Sequence, residues 1–285
     1  MDNILLAAAV MLGLGLLFAL ILVLAYRFLK VEEDPRLEEV ETLLPGTNCG
    51  ACGVPGCRAF AETLIAGENQ PSGCTVSSPE GIENLADFLG VAAGDMVKVV
   101  ARLHCAGGRA QALQVAEYEG FDTCRAATLV GSGGKGCAWG CLGLGDCDVV
   151  CDFDAIHMNS NGLPVVDVEK CTACNDCVEV CPKDLFTLER IDQPLLVQCS
   201  VPLAGEEAMA LCSVACDACG KCALDAPDGV ITMENNLPVL GSEVGSRPAP
   251  EATFRCPTRA IQWVTSGQFP ESRAESVQTQ GELGG

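Results

Sequence analysis

The 285-residue chain is poor in aromatic, histidine and basic residues. It has 9 Phe, 2 Tyr, 2 Trp and 2 His, and its 38 Asp and Glu outnumber 17 Lys and Arg, giving a formal net charge of −21. This charge argues against a nucleic-acid-binding face, because no basic patch could offset phosphate. Both histidines, His104 and His157, lie beside cysteine motifs in strand-like runs. They favour packing or a local hydrogen bond over acid–base catalysis, and no catalytic site is predicted in this chain.

Cysteine is abundant, with 20 residues. Small cysteine-rich segments with few aromatics bury too little apolar surface to be stable alone, so metal or disulfides must stabilise them. The choice between the two depends on the compartment, because cytoplasmic thiols stay reduced.

One uncharged, mostly aliphatic run of 24 residues, Asn3 to Tyr26, predicts a membrane-spanning helix. At ~1.5 Å per residue it is about 36 Å long, enough to cross a bilayer. A cleavable signal peptide is the alternative, but no basic stretch precedes the run and its apolar part is too long. Arg27 and Lys30 follow it, which favours a single-pass anchor in the inner membrane with the rest of the chain in the cytoplasm. Reduced thiols there favour metal ligation over disulfides.

The first cysteine motif is NCGACGVPGC followed by a later cysteine: Cys49-x2-Cys52-x4-Cys57-x16-Cys74. Glycines among these residues suit a chain that wraps tightly and presents backbone N–H groups to sulfur, as an iron–sulfur cluster requires. A structural zinc site is the alternative.

A second pair of motifs has ferredoxin spacing. Cys171-x2-Cys174-x2-Cys177-x3-Cys181-Pro182 matches it in full, and Cys137-x3-Cys141-x5-Cys147-x3-Cys151 is a looser version. Because the fourth cysteine of each such motif ligates the other cluster, two [4Fe-4S] clusters are predicted. Their expected ligands are Cys137, Cys141, Cys147 and Cys181 for one, and Cys151, Cys171, Cys174 and Cys177 for the other. Zinc is the alternative, although it favours two separated C-x2-C pairs.

A third ferredoxin motif is incomplete. Cys216, Cys219 and Cys222 have the expected spacing, but Ala226 stands before Pro227 in place of the fourth cysteine. Since that cysteine would serve a neighbouring cluster, its loss is harmless if a later cysteine completes this site. Cys256, followed by proline, is the expected donor, and the loop-like GSEVGSRPAPEAT replaces the rest of its motif. A decayed site without a cluster is the alternative.

Four cysteines remain outside these sets: Cys105, Cys124, Cys199 and Cys212. They mark a weak internal repeat, in which a strand-like run ends in cysteine, a lone cysteine follows and then a cluster motif. Buried structural thiols are the default interpretation, and an additional metal site formed by these four is the alternative. The nearby GSGGKGC (131–137) lacks the spacing of phosphate-binding loops, and we interpret it as a flexible approach to Cys137.

These features predict an α+β chain with a transmembrane helix, a small iron–sulfur domain, a ferredoxin-like 2[4Fe-4S] domain and a degenerate ferredoxin-like unit. The expected boundaries are 1–30 for the anchor, 31–85 for the first domain, 86–136 for a mixed connecting segment, 137–192 for the ferredoxin-like domain, 193–265 for the degenerate unit with one cluster, and 266–285 for a disordered tail.

In the set of motifs and in their order along the chain, this sequence resembles the B subunit of the Rnf complex, the membrane-bound ferredoxin–NAD oxidoreductase also known as Rsx. The resemblance rests on the anchor, VEEDPRLEEVETLLPGTNCGACGVPGC, VVARLHCAGG, KGCAWGCLGLGDC and CTACNDCVEVCP. It implies a [4Fe-4S] cluster on Cys49, Cys52, Cys57 and Cys74, hence four clusters in all. Two departures are CDFDAI, where family members usually have proline after Cys151, and the shortened last unit around Ala226.

The resemblance implies an electron-transfer subunit that passes electrons from reduced ferredoxin towards NAD while partner subunits translocate Na⁺ or H⁺. Expected partners are the other Rnf subunits (A, C, D, E and G), soluble ferredoxin or flavodoxin as donor, and the membrane. Two alternatives remain: electron supply to a redox regulator, as the Rsx name implies, and a membrane-tethered binding module stabilised by metal.

Overall fold

The computed structural model describes residues 2–29, 34–94, 97–241 and 249–269. The first element is a long helix, α1 (Asp2–Leu29), which contains the predicted apolar run. Its segment Ala9–Phe28 has a mean hydropathy of 2.6, and none of it is buried against the rest of the described chain. Because an uncovered helix that is apolar on all sides is unfavourable in water, these features suit a membrane span.

A small helical unit follows α1. It consists of α2 (Arg36–Leu43), α3 (Cys57–Ala66), a 3₁₀ turn (Pro71–Gly73) and α4 (Pro79–Leu89). Apolar residues of three helices, including Val40, Phe60 and Leu85, form its core. Helix α3 is followed by Gly67, whose φ of 74° suits a residue without a Cβ. The unit is therefore a cap of helices packed against one side of the first cysteine motif.

The middle of the chain forms a unit that we call the central unit, from Val99 to Arg190. Its strands pair antiparallel, β1 with β4 and β2 with β3, and Leu103 lies opposite Phe186. The elements in chain order are β1 (Val99–Leu103), α5 (Cys124–Leu129), α6 (Asp146–Val149), β2 (Ile156–Met158), β3 (Pro164–Val166), α7 (Asp176–Val180) and β4 (Phe186–Arg190).

The next part, the C-terminal unit from Leu195 to Trp263, repeats this order. Its strands also pair antiparallel, β5 with β8 and β6 with β7. The elements are β5 (Leu195–Val197), α8 (Gly205–Leu211), α9 (Lys221–Asp225), β6 (Ile231–Glu234), β7 (Leu237–Leu240), a 3₁₀ turn (Pro250–Thr253) and β8 (Ile261–Trp263). The order of strands and helices agrees with the predicted internal repeat, with two differences. The central unit has an additional 3₁₀ turn (Gly131–Gly134) between α5 and α6, and the C-terminal unit has a 3₁₀ turn at the position that α7 holds in the central unit.

The two units meet along a crossing segment, residues 105–115. Its backbone exchanges hydrogen bonds with the C-terminal unit, from Ala106 N–H to the carbonyl oxygen of Gln198 (3.0 Å) and from Leu113 N–H to that of Leu211 (2.8 Å). It also accepts one from Gly136 N–H through the carbonyl oxygen of Leu113 (2.8 Å). The segment 86–136, expected to be a connection, therefore supplies β1 and α5 to the central unit and joins it to the next.

The chain beyond β8 differs from the expectation of a disordered tail starting at residue 266. The side chain of Gln268 is buried against β1, where it accepts from Leu103 N–H (2.8 Å) and donates to the carbonyl oxygen of Leu103 (2.9 Å). Arg102 donates from Nη1 to the carbonyl oxygen of Ser266 (2.7 Å). These bonds hold residues 266–269 on the free edge of β1, and residues 270–285 lie outside the described residues.

Replacing Gln268 with leucine should destabilise the central unit. The change leaves the buried N–H and carbonyl of Leu103 unpaired, which lowers the free energy of unfolding by about 2–6 kcal/mol, at ~1–3 kcal/mol per group. Thermal unfolding of the anaerobically purified protein measures the loss. The control is Gln262→Leu, at a position whose side chain bonds only to the nearby carbonyl of Arg259. Equal unfolding temperatures for the two variants would contradict the role of Gln268.

Candidate metal centres

The first motif surrounds a cavity in the helical unit. Four thiols line its walls, which enclose about 290 Å³: Cys49, Cys52, Cys57 and Cys74. Asn48 shapes the loop, because its Oδ1 accepts from Cys57 N–H at 2.8 Å and from there fixes the start of α3. Gly56 is needed at this point, since its φ is 99° and a Cβ would lie 2.9 Å from that same oxygen. The structure thus brings together the four cysteines that the sequence groups.

A second cavity, of about 320 Å³, lies in the central unit and also matches a predicted set: Cys151, Cys171, Cys174 and Cys177. Backbone groups point at its sulfurs, with Ala101 N–H donating to Cys171 Sγ and Ala155 N–H to Cys151 Sγ, both at 3.4 Å. Arg102, 1% exposed, places a cation beside Cys171. The site therefore combines four thiols with donors that stabilise negative charge on sulfur.

A third cavity, of about 380 Å³, differs from the expected set in one residue. The thiols that line it are Cys124, Cys141, Cys147 and Cys181. Cys137, predicted to belong here, instead lines a separate cavity with Cys105, Cys199 and Cys212. The group expected from the remaining cysteines, Cys105, Cys124, Cys199 and Cys212, differs in the same way. In the structure Cys137 takes the place of Cys124 beside the other three.

The local backbone explains why Cys124 belongs to the third cavity. Read as Cys141-x2-Leu144-x2-Cys147-x3-Cys151, the motif has full ferredoxin spacing with leucine at its second position. The backbone N–H of Asp146 faces the sulfur of Cys124, and in the next motif the N–H of Asp176 faces that of Cys174 in the same way. Asp146 also accepts from Cys124 N–H through Oδ1 at 2.8 Å, which fixes the start of α5 at the site.

That spacing is the signal by which sequence reasoning could have found Cys124. Each of the three ferredoxin-type motifs places left-handed residues two and four positions after its first cysteine. Here they are Gly143 and Gly145, with φ of 74° and 82°. In the other two motifs they are Ala173 and Asn175, and Ala218 and Gly220. The shared conformation identifies Cys141, not Cys137, as the first cysteine of its motif.

The incomplete third motif also gathers its thiols. Cys222 lies beside Cys219 and Cys256, and Cys216 lies beside Cys222. Ala226 packs with Ala249 and Ala252 in an apolar core next to these residues. The place that a second cluster would occupy in a complete unit is therefore filled by small apolar side chains from α9 and the 3₁₀ turn. Cys219 is the one exposed cysteine of the 20.

Burial disfavours the deprotonated, anionic form of these thiols when no metal is bound. It raises the pKa of Cys141 and of Cys177 to about 12, and that of Cys174 and of Cys216 to about 11. Because burial in a low dielectric disfavours a thiolate, such groups keep their protons until a metal displaces them. Metal binding at these sites therefore releases protons and is favoured at higher pH.

The shape of the sites fits clusters better than single ions. Within the described ranges, no three His, Cys, Asp or Glu side chains converge closely enough to hold one metal ion. Zinc holds its sulfur ligands at ~2.3 Å around one point, whereas an iron–sulfur cluster is held by four thiolates around a larger core. Three cavities, each with four thiols spread over its walls, agree with the second arrangement.

Two family models match the chain. The FeS model, for an Fe-S cluster, matches residues 44–76, which contain Cys49, Cys52, Cys57 and Cys74. The Fer4 model, a 4Fe-4S binding domain, matches residues 164–187. Both matches support iron–sulfur clusters at these positions.

Known proteins match over most of the chain. The B subunit of the Na(+)-translocating ferredoxin:NAD(+) oxidoreductase complex of Acetobacterium woodii is 40% identical over 87% of this chain and 74% of its own length. The B subunit of the ion-translocating oxidoreductase complex of Methanosarcina acetivorans is 32% identical, over 89% and 96%. The B subunit of the proton-translocating ferredoxin:NAD(+) oxidoreductase complex of Clostridium ljungdahlii is 36% identical, over 94% and 95%. With its cysteine motifs and these similarities, the chain belongs to the family of B subunits of ion-translocating ferredoxin:NAD⁺ oxidoreductase (Rnf) complexes.

Proposed function

We propose that this chain is the membrane-anchored electron-transfer subunit of an Rnf complex, carrying electrons from reduced ferredoxin towards NAD⁺. The observation that carries the proposal is the sorting of its cysteines into separate four-thiol sites on one continuous chain behind an apolar helix. When bound, each [4Fe-4S] cluster supplies a one-electron centre whose potential is set by burial and hydrogen bonds to sulfur.

Four ligand sets follow from the geometry. Three are those of the sequence: Cys49, Cys52, Cys57 and Cys74; Cys151, Cys171, Cys174 and Cys177; and Cys216, Cys219, Cys222 and Cys256. The fourth replaces Cys137 with Cys124: Cys124, Cys141, Cys147 and Cys181.

Contacts within the central unit support two neighbouring sites. Helices α6 and α7 pack together, and Cys147 of α6 lies beside Cys177 of α7. Because the motifs exchange their fourth cysteines, Cys151 and Cys181 each extend from one site to the other. The chain between the two sites is therefore only a few residues long, which suits electron exchange.

The helical unit lies beside one of these two sites, the one that contains Cys171. Cys74 and Cys171, which belong to different sites, both line one groove of about 1410 Å³ that is partly open to solvent. Lys98 and Lys170 also line it. The groove brings the first site towards the central unit and supports an electron path that begins near the membrane anchor.

Ion movement belongs to other subunits in this proposal. A single apolar helix without charged residues at its centre offers no ion path of its own. The names of the relatives differ in the coupling ion, Na⁺ in one and H⁺ in another. The expected partners are the A, C, D, E and G subunits, with a ferredoxin or flavodoxin as donor and the cysteine sites on the cytoplasmic side of the inner membrane.

Ferredoxin-dependent reduction of NAD⁺ by membranes tests this function. Membranes from cells without the chain should lose the activity, and the full-length chain should restore it. The Cys147→Ala variant should restore less than a tenth, because it removes a ligand at the centre of the path. Full activity in membranes without the chain would contradict the proposal. If such membranes kept NAD⁺ reduction and lost only the reduction of a redox regulator, the Rsx alternative would be favoured.

The assignment of Cys124 has a test of its own. Cys124→Ala should lower the iron content by about four atoms per chain, since a [4Fe-4S] cluster lacking one thiolate is not retained. Iron and acid-labile sulfide in anaerobically purified protein measure the change. The matched control is Ser132→Ala, a small polar residue of the same region whose hydroxyl accepts only from Lys183. Unchanged iron in Cys124→Ala would return this thiol to a structural role.

Cys256→Ala and Ala226→Cys form a second matched pair. The first should lose about four irons, and the second should add none, because Ala226 packs in an apolar core in place of a site. A gain of iron in Ala226→Cys, measured in the same way, would show that the second site of this unit still exists.

A further inference from the structure

A cavity lined by four thiols lies where the central and C-terminal units meet. The four are Cys105, Cys137, Cys199 and Cys212. Cys105 lies beside each of the other three. At about 310 Å³, the cavity falls within the range of the other three, 290, 320 and 380 Å³. Each unit supplies two of its cysteines, so the cavity exists only when both units are folded against each other.

The backbone around these sulfurs has the hydrogen-bond pattern of the ferredoxin motifs. In those motifs the N–H two residues after a cysteine faces its sulfur, as for Cys141, Cys174, Cys216 and Cys219. At the junction the N–H of Trp139 faces Cys137, that of Val201 faces Cys199 and that of Val214 faces Cys212. Backbone N–H groups turned towards sulfur in this way form the anion-binding concavities that are common at iron–sulfur sites.

Two glycines keep side chains away from the sulfurs. A Cβ on Gly107 would lie 2.8 Å from Cys212 Sγ and 3.8 Å from Cys105 Sγ. A Cβ on Gly140 would lie 3.3 Å from Cys137 Sγ. Neither glycine has a positive φ, so the backbone conformation does not require glycine at these positions. Glycine is needed because a side chain would occupy the space beside the sulfur.

Two buried polar side chains also line the cavity. Gln198 is 3% exposed, and its Oε1 has no hydrogen-bond partner in the described part of the chain. Lys135 is 9% exposed; its Nζ donates to the carbonyl oxygens of Gly107 and Cys141, and its charge lies beside Cys137 and Cys212. No carboxylate of the described residues forms an ion pair with it. A buried cation without a counter-ion is costly, and four thiolates around a cluster supply the missing negative charge.

The junction cavity touches a ligand set on each side. Cys141 N–H, from the third site, donates to Cys105 Sγ at 3.3 Å. Cys216 N–H, from the site of the C-terminal unit, donates to Cys199 Sγ at 3.3 Å. One hydrogen bond therefore separates the junction thiols from a cysteine of each neighbouring site.

We propose that Cys105, Cys137, Cys199 and Cys212 bind a fifth [4Fe-4S] cluster, which joins the sites of the two units into one electron path. All 20 cysteines of the chain then belong to five sets of four. The inference rests on the electron-transfer function proposed above. One electron enters from one neighbouring centre, which is oxidised, and one leaves to the other, which is reduced, so that no bond breaks and no proton moves.

Iron and acid-labile sulfide per polypeptide provide the first test. The full-length chain, purified without oxygen, should hold about 20 irons, and Cys212→Ala and Cys199→Ala should each hold about 16. Ser213→Ala, next to Cys212, should keep about 20. About 16 irons in the wild-type chain, or unchanged iron in both cysteine variants, would overturn the fifth site.

Lys135 provides a second test that does not depend on removing a ligand. Lys135→Gln should keep the full iron content while the midpoint potential of the junction cluster shifts to more negative values, because a nearby cation favours the reduced and more negative state. Lys135→Arg, which keeps the charge, should stay near the wild-type potential. Redox titration followed by EPR measures the shift. Identical potentials in all three proteins would rule out a cluster beside this ammonium.

The two proposals fail in different ways. A wild-type chain with about 16 irons that still supports ferredoxin-dependent NAD⁺ reduction overturns the fifth site and leaves the function standing. A chain with about 20 irons that supports no such reduction overturns the function and supports the fifth site.

Discussion

Negative charge on buried sulfur is the constraint on which the rest of this structure depends. A thiolate in a low dielectric is unstable unless a metal and hydrogen-bond donors stabilise it, and burial raises the pKa of thiols such as Cys141 and Cys177 accordingly. The chain meets this requirement with backbone more than with side chains. Left-handed residues in each motif turn N–H groups towards sulfur, and two buried cations, Arg102 and Lys135, lie beside cysteines. Sheets and helices are correspondingly short, because much of the backbone lies in loops around the sites.

The spacing of the motifs predicted those cysteine sets whose members lie close together in the sequence. The sets around Cys49 and Cys171 are local repeats of C-x2-C type, and the structure brings the same thiols together. Cys137 was predicted in the third site because four successive cysteines, from Cys137 to Cys151, were interpreted as one motif. The structure places Cys137 in another cavity. The constant element of such a motif is a conformation, with left-handed residues at fixed positions, and Leu144 occupies a cysteine position without disturbing it. Cys124, 20 residues upstream of Leu144, reaches the site only through the fold of α5.

The junction could not be derived from spacing, because its cysteines come from two units and are spread from Cys105 to Cys212 without a shared motif. The sequence did predict a weak repeat, and the two units share the order of their four strands and of the two helices that precede the second strand. Lys135 was also missed, since GSGGKGC was interpreted as flexible. In the structure its ammonium is buried between two carbonyl groups, because a crossing segment covers it.

The two units have diverged in one site. Where α7 brings Cys177 to the core of the central unit, the C-terminal unit has a 3₁₀ turn that brings Ala252, and Ala226 lies against it. Small apolar side chains pack there, and an interior filled in this way does not depend on metal. A filled interior is enough for the fold of such a unit, whereas electron transfer requires a bound cluster.

A centre with a neighbour on one side only must exchange electrons with another molecule on the other side. In the proposed electron path the set around Cys216 has such a terminal position, and Cys219, one of its thiols, reaches the protein surface. An opening that admits a redox partner also admits dissolved oxygen. Rapid bleaching in air should therefore begin at this end of the molecule, while the centres enclosed between the two units keep their colour longer.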